Sequence, residues 1–233
     1  MKNFFTSFFL LTVTVFCHAQ KKWSVQEVIT KTEQYYETAK EYSYDLDYRF
    51  YKDGFSSTIV DRYSGLLIKK DGVIYQKVNA AQSVNFSDCL VTLNPVDKVL
   101  FVSKKGNRTP PVVLKQLLKM SKDSKLTGTK EYWICELTAG KEQRKEFTKI
   151  VIYVNKKDFS LNRQIFYTEG AQEIEKENKR ILLKNPRLEI LYSANSKAMA
   201  KYAPVLSKSY YFSTKNNKII PSKRFQKYKL ITQ

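Results

Sequence analysis

Histidine is nearly absent from this chain. One occurs in 233 residues, His18, and it falls in a leader expected to be removed on export. Imidazole is the usual general base and metal ligand near neutral pH, so its loss excludes Ser-His-Asp and Cys-His catalysis and every His-containing zinc site. Cysteine is scarce too: of three, Cys17 lies in the leader, leaving Cys89 and Cys135, too few for a Cys-only zinc site. Gly-x-Ser-x-Gly, P-loop and Gly-x-Gly-x-x-Gly motifs are missing. No catalytic group, metal or cofactor is expected. With 7 Gly and 6 Pro, the chain is neither collagen-like nor a Pro-rich linker. Acid is short as well, with 22 Asp+Glu against 41 Lys+Arg and a net charge of +19.

Long apolar runs are confined to the start. Phe4 to Phe16 is uncharged and mostly apolar, follows Lys2, and precedes small residues up to Ala19. That pattern is a secretory signal over residues 1–19, too short for the roughly 20 residues of a membrane span. Phe16 stands where a lipoprotein signal needs a small side chain, so acylation at Cys17 is not expected. The remainder, 20–233, reads as one exported domain working outside the cytoplasm, whether held in the periplasm, associated with an outer membrane or secreted. Export costs the chain only one basic residue, Lys2, and leaves its charge at +18 against +19 for the whole sequence.

What is present is alternation. Ser24-Val25-Gln26-Glu27 is a capping box, and Val25, Val28, Ile29, Thr32, Tyr35 and Ala39 follow at helical spacing, predicting a helix over 24–40. The period then becomes two: Tyr42, Tyr44, Leu46, Tyr48 and Phe50 alternate with Ser43, Asp45, Asp47 and Arg49, the mark of a strand with one buried face. A strand over 57–69, the turn Asp71-Gly72 and strands at 73–78, 82–87, 89–94 and 97–103 come next, with a turn at Gly106-Asn107. Pro110-Pro111 opens a second helix, 112–120. Strands at 126–138, 146–155 and 160–168 follow, with a turn at Gly140-Lys141. Glu169 to Arg180 reads as a charged ribbon end or loop. A hairpin around Asn185-Pro186 and a final strand pair, 205–213 and 219–231, around Asn216-Asn217 close the chain. The fold class is α+β, mainly β: one antiparallel sheet of about ten strands with two helices.

This order of elements, with certain residues, resembles the LolA/LolB family of periplasmic lipoprotein carriers. Gly65-Leu66-Leu67-Ile68-Lys69-Lys70 is similar to that family's Gly-x-apolar run ending in basic residues. Val73-Ile74-Tyr75 stands where it has an aromatic strand. Phe86-Ser87-Asp88 and Asn94-Pro95 resemble its Ser-Asp-Gly…Asn-Pro segment, with Cys89 in place of the Gly and a shorter spacing. The match covers residues 24–103. It implies a curved antiparallel half-barrel whose concave face is covered by helices and holds acyl chains, with Lys70 near the cavity mouth.

Two functions follow. In the first, a non-enzymatic periplasmic binding protein holds a lipid, acyl chain or other apolar ligand against Tyr44, Leu46, Tyr48, Phe50, Leu67 and Tyr75. Lys70 and other basic residues would face an anionic membrane surface or a lipoprotein. In the second, the same face is solid core and the protein is a packed envelope module that binds a protein partner. A monomer is expected, and export argues against nucleic acid as the reason for the charge. Asp45 and Asp47 share a strand face roughly 6.5–7 Å apart, in the range of an inverting carboxylate pair, but opposite the aromatic stripe, which makes that face a solvated one. Cys89 and Cys135 are open to two readings, a disulfide closing 46 residues and stabilising by roughly 4 kcal/mol, or two buried thiols.

Overall fold

The computed structural model of the protein describes residues 22–104, 113–140, 142, 147–176 and 179–233. The expected leader, the Gly106-Asn107 turn, the Pro110-Pro111 helix start and Lys141 of the Gly140-Lys141 turn lie outside the described residues.

Helix α1 (Val25–Thr38) begins as its capping box dictates: Ser24 Oγ accepts from Glu27 N and the Glu27 carboxylate accepts from Ser24 N. The long strands β1 (Glu41–Tyr51) and β2 (Ile59–Lys70) pair antiparallel. Asp71 and Gly72, both at positive φ, turn β2 into β3 (Val73–Val78), the two-residue geometry that matches strand twist. Strands β4 (Ala81–Asn85), β5 (Leu90–Asn94) and β6 (Val99–Ser103) complete a meander. A short helix, α2 (Leu114–Lys119), precedes a second meander of β7 (Ser121–Gly128), β8 (Tyr132–Ala139), β9 (Lys149–Asn155) and β10 (Leu161–Tyr167). The expected strand over 126–138 is therefore two, folded back at Thr129–Glu131.

Strands β11 (Ala171–Lys176) and β12 (Lys179–Lys184) pair with each other as a separate ribbon. Strand β13 (Arg187–Ala194) joins the two meanders by pairing with both β1 and β10. The hairpin expected around Asn185-Pro186 is thus absent: β12 and β13 take different partners. The last segment also departs from its reading as a strand pair. Residues 196–211 form α3 (Ser196–Lys201), a 3-10 turn (Ala203–Leu206) and α4 (Lys208–Tyr211). The hairpin of β14 (Phe212–Lys215) and β15 (Lys218–Pro221) turns on Asn216-Asn217 as expected, and a 3-10 turn (Lys223–Phe225) leads to β16 (Lys229–Thr232), which lies parallel against β6.

The result is a curved, open sheet of 12 strands in the order β16-β6-β5-β4-β3-β2-β1-β13-β10-β9-β8-β7, an α+β fold dominated by strand. Because side chains alternate across a sheet, the two faces carry separate cores. On one face α1 and α2 cover Tyr42, Tyr44, Leu46, Tyr48 and Leu67 of β1–β2 together with Cys135, Leu137, Ile150, Ile152 and Leu161 of the second meander. On the other face the C-terminal turns cover Leu66, Ile68, Tyr75, Val84, Val91, Leu100 and Val102. The face opposite the aromatic stripe is therefore not simply solvated: its β2–β6 half is a second core. Tyr211, fully buried, anchors that cover by stacking on Phe225 at 5.9 Å and donating to Val205 O at 3.0 Å.

Candidate functional site

The aromatic stripe and the helix above it form a tyrosine block. Tyr36 of α1 packs edge-on against Tyr42 at 5.1 Å and lies 6.1 Å from Tyr44, while Tyr35 stacks on Tyr42 at 6.4 Å. The hydroxyls are mostly paired inside the block, as buried phenols require. The Tyr35 and Tyr44 hydroxyls share a hydrogen bond of 2.8 Å, Leu161 N donates to Tyr36 Oη at 3.1 Å, and Tyr192 donates to Gln164 Oε1 at 2.6 Å. Among the described residues Tyr42 Oη is buried without a partner. Burial pushes the Tyr36, Tyr42, Tyr44 and Tyr192 hydroxyls well above the ordinary phenol range, so all stay protonated.

Lys69 closes the end of the helix. Its Nζ donates to Tyr36 O at 2.9 Å and Glu37 O at 2.7 Å, a cation on carbonyls left free by the last turn, although burial pulls its pKa down. The expected gate residue, Lys70, is on the other face and borders a shallow pocket of about 200 Å³ with Val73, Ala203 and Leu206. Parity is the reason: Lys69 is two residues from Leu67 and shares its face, whereas Lys70 is three away. Tyr75 is misplaced by the same rule. It pairs with Ile68, is 1% exposed in the second core, stacks on Tyr202 and donates to Gln82 Oε1 at 3.2 Å.

The remaining expected ligand residues are brought together, and Tyr44, Leu46, Tyr48 and Leu67 are packed against protein atoms. Leu46 is 4% exposed. A Cβ on Gly65 would sit 2.8 Å from Tyr48 Cε2, 2.8 Å from Lys77 O and 3.2 Å from Leu46 Cβ, so only glycine lets β2 approach here. Tyr48 stacks on Tyr63 at 4.8 Å. Phe50 lies six residues beyond Tyr44, about 20 Å along the strand. It is half-buried and stands outside the core cluster that holds the rest of the stripe. Its neighbours in register on that face are Leu188 of β13 and, one strand further, Phe166 of β10, with Tyr63 and Ile190 one pair inward. All are half-buried. This strip was not singled out from the sequence, although the alternation of β10 and β13 carried it.

The opposite face holds charge. Arg62 grips Asp47 with two bonds, Nε to Oδ1 at 2.7 Å and Nη2 to Oδ2 at 2.9 Å, while Arg49 Nε reaches Oδ2 at 2.8 Å. The Arg62 and Arg49 guanidiniums hold the Asp47 carboxyl below the usual carboxylate range, the reverse of what a general acid needs. Asp45 accepts from Asn195 Nδ2 at 2.7 Å. Both carboxylates line a cleft of about 550 Å³ walled by Lys77, Ser193 and Tyr202. A second cleft, about 660 Å³, lies where β1, β10 and β12 end, between Phe55, Thr138, Thr148, Tyr167 and Lys184.

Cys89 and Cys135 are both free and buried, the second of the two readings open to them. Cys89 belongs to the second core and Cys135 to the first, so the sheet itself separates them. Burial raises the Cys135 thiol to about 12 and, with Asp88 beside it, raises that of Cys89 too. Among the described residues no group of three or more His, Cys, Asp or Glu is placed to hold a metal.

An open, curved α+β sheet with α1 and α2 over one face and the C-terminal helices and turns over part of the other is the class these observations define. No protein-family model matches the sequence, and no curated protein does. Solved structures resemble it in fold. An uncharacterized conserved protein from Thermus thermophilus aligns with 91% of this chain and 100% of its own, at 10% identity and a TM-score of 0.46. A LolA superfamily protein from Nitrosomonas europaea aligns over 74% of this chain and 92% of its own at 14% identity and a TM-score of 0.30. The Mycobacterium tuberculosis lipoprotein LppX aligns over 74% and 97% at 11% identity and 0.34.

Proposed function

We propose that the protein is an exported, non-enzymatic binding protein that holds an apolar chain, of lipid or acyl type, on the helix-covered face of its sheet. The observation that carries this reading is the strip Phe50, Tyr63, Phe166, Leu188 and Ile190, two register pairs long and half-buried, which continues the apolar face past Leu46 and ends about 20 Å from Tyr44. A flexible hydrocarbon needs such a surface, apolar and only partly filled, and gains roughly 0.8 kcal/mol for each methylene it buries. The tyrosine block and Gly65 supply a rigid end wall, since rings packed edge-on at 5.1 Å and tilted at 5.9 Å and a strand approach only glycine permits leave little freedom there. The site therefore differs from the one expected at Leu46 and Tyr48. It is displaced along the same strands, with Phe50 common to both.

The charge fits this use. A chain of net +19 is drawn to anionic lipid, where each basic residue near the surface contributes about 1 kcal/mol. Asp47, clamped by two arginines, supports the non-enzymatic part of the reading.

A fluorescent fatty-acyl probe tests the proposal. Wild-type protein is expected to bind it in the micromolar range. Phe50→Ala with Leu188→Ala should weaken binding at least fivefold, with the melting temperature within a few degrees of wild type. A wild-type protein that takes up no probe, and carries no lipid by mass spectrometry after purification from an envelope, overturns it in favour of a module that binds a protein.

A further inference from the structure

Two large apolar side chains stand in solvent at one end of the sheet, and each is presented rather than left loose. Phe55, at the tip of the loop between β1 and β2, is 101% exposed. Asp53 Oδ1 accepts from Phe55 N at 2.8 Å and Ser56 N at 2.6 Å, and Arg187 Nη1 donates to Gly54 O at 2.9 Å. Three hydrogen bonds thus hold the loop in the one shape that points Phe55 away from the protein. Leu182, on β12, is 71% exposed. Alternation explains which way it faces: Leu183 is fully buried while Leu182, with Arg180 and Lys184 two residues to either side, lines the outward row. Lys184 and Phe55 border the same cleft of about 660 Å³, so the outward row of the ribbon and the loop tip flank one opening.

We propose that this end docks on an anionic lipid bilayer, with Phe55 and Leu182 entering the interface and Lys52 and Lys184 meeting headgroup phosphates. The inference rests on the exported binding-protein reading and gives it a place of exchange, because Phe50 ends the apolar strip at the same end of β1. The occupant follows from the chemistry. The apolar groups are single side chains on projecting tips with lysines close by: Lys52 precedes Phe55 by three residues and Lys184 follows Leu182 by two, while Asp53 ties the loop together and Glu173, opposite Leu182 in register, holds Arg180 at 3.7 Å. A protein interface wants a contiguous apolar centre with a polar rim, whereas a membrane interface takes isolated apolar anchors among lysines. The surplus of positive charge complements an anionic surface and no neutral one.

Flotation with phosphatidylglycerol-containing vesicles and with phosphatidylcholine vesicles provides the test. Wild-type protein should float with the anionic vesicles, several-fold less at high salt, and little with the neutral ones. Phe55→Ser with Leu182→Ser should reduce anionic flotation at least tenfold without moving the melting temperature or the affinity for an acyl probe. Phe55→Trp adds an indole at the loop tip to the native Trp23 and Trp133, and the emission it adds over that of wild type should shift to the blue when anionic vesicles are added. Equal flotation of wild type and double variant, or a loop-tip emission that vesicles leave unmoved, overturns the proposal. Flotation that depends on Phe55 in a protein that binds no acyl probe sinks the carrier reading and leaves the docking surface standing.

Discussion

Single residues decide where this sheet is solid and where it has room. Gly65 matters through what it lacks: without a Cβ, β2 closes on Tyr48 and Lys77 O, and Leu46 is held against it. Leu46→Trp is therefore a test of solidity. In a filled site the added ring forces its neighbours off their rotamers, and overpacking of this kind costs roughly 1–3 kcal/mol. The expected outcome is a clearly lower thermal midpoint with acyl-probe binding reduced no more than stability explains. A variant that melts like wild type while losing the probe would move the ligand site back to Leu46. Lys69 shows the same precision. One position along β2 separates an ammonium that caps α1 from one, Lys70, on the opposite face, and the alternation of β2 in the sequence is enough to tell the two apart. What the residues alone did not give was the neighbour across each gap, because Tyr63 and Gly65 come within reach of Tyr48 only through register.

Elements were legible in proportion to the strength of their local signal. The capping box fixed the start of α1, and Asp71-Gly72 and Asn216-Asn217 fixed two-residue turns at positive φ. Ser24→Ala removes an acceptor of the first-turn N–H groups and should cost about 1 kcal/mol, seen as a lower denaturation midpoint with an unchanged slope. A midpoint equal to that of wild type would mean that tertiary packing alone sets the helix start. The elements that escaped were the short ones. Helix α3 has six residues and α4 four, too few for a 3.6-residue period to declare itself, and the apolar residues Val205, Tyr211 and Phe212 read equally well as strand. Likewise Asn185-Pro186 is a good turn signal, yet β12 and β13 on either side of it pair elsewhere. Turn chemistry specifies a bend and leaves the partners open.

At the scale of the whole molecule the arrangement is two cores on opposite faces of one sheet, with β1, β2 and β3 lying near the middle of the strand order. The first core is closed by α1 and α2 and the second by the C-terminal segment, so α1 and that segment seal opposite sides. This could not be read from alternation, which tells that a strand has a buried face and not what covers it; Leu66-Leu67-Ile68, buried on both sides, was a local sign of two covers. The division has a mechanical consequence. Removing residues 222–233 takes away Phe225 from its stack on Tyr211, Leu230 from the second core, and β16 from the edge of β6. Amides of β5 and β6 then lose the cover that slows their opening, while those of β9 and β10 keep α1 and α2 above them. Hydrogen exchange of the truncated protein should accordingly rise strongly in 90–103 and remain near wild type in 149–167, because protection follows local cooperative units. Uniform loss of protection across both segments would show that the two cores fold as a single unit, and that the sheet between them transmits the damage instead of confining it.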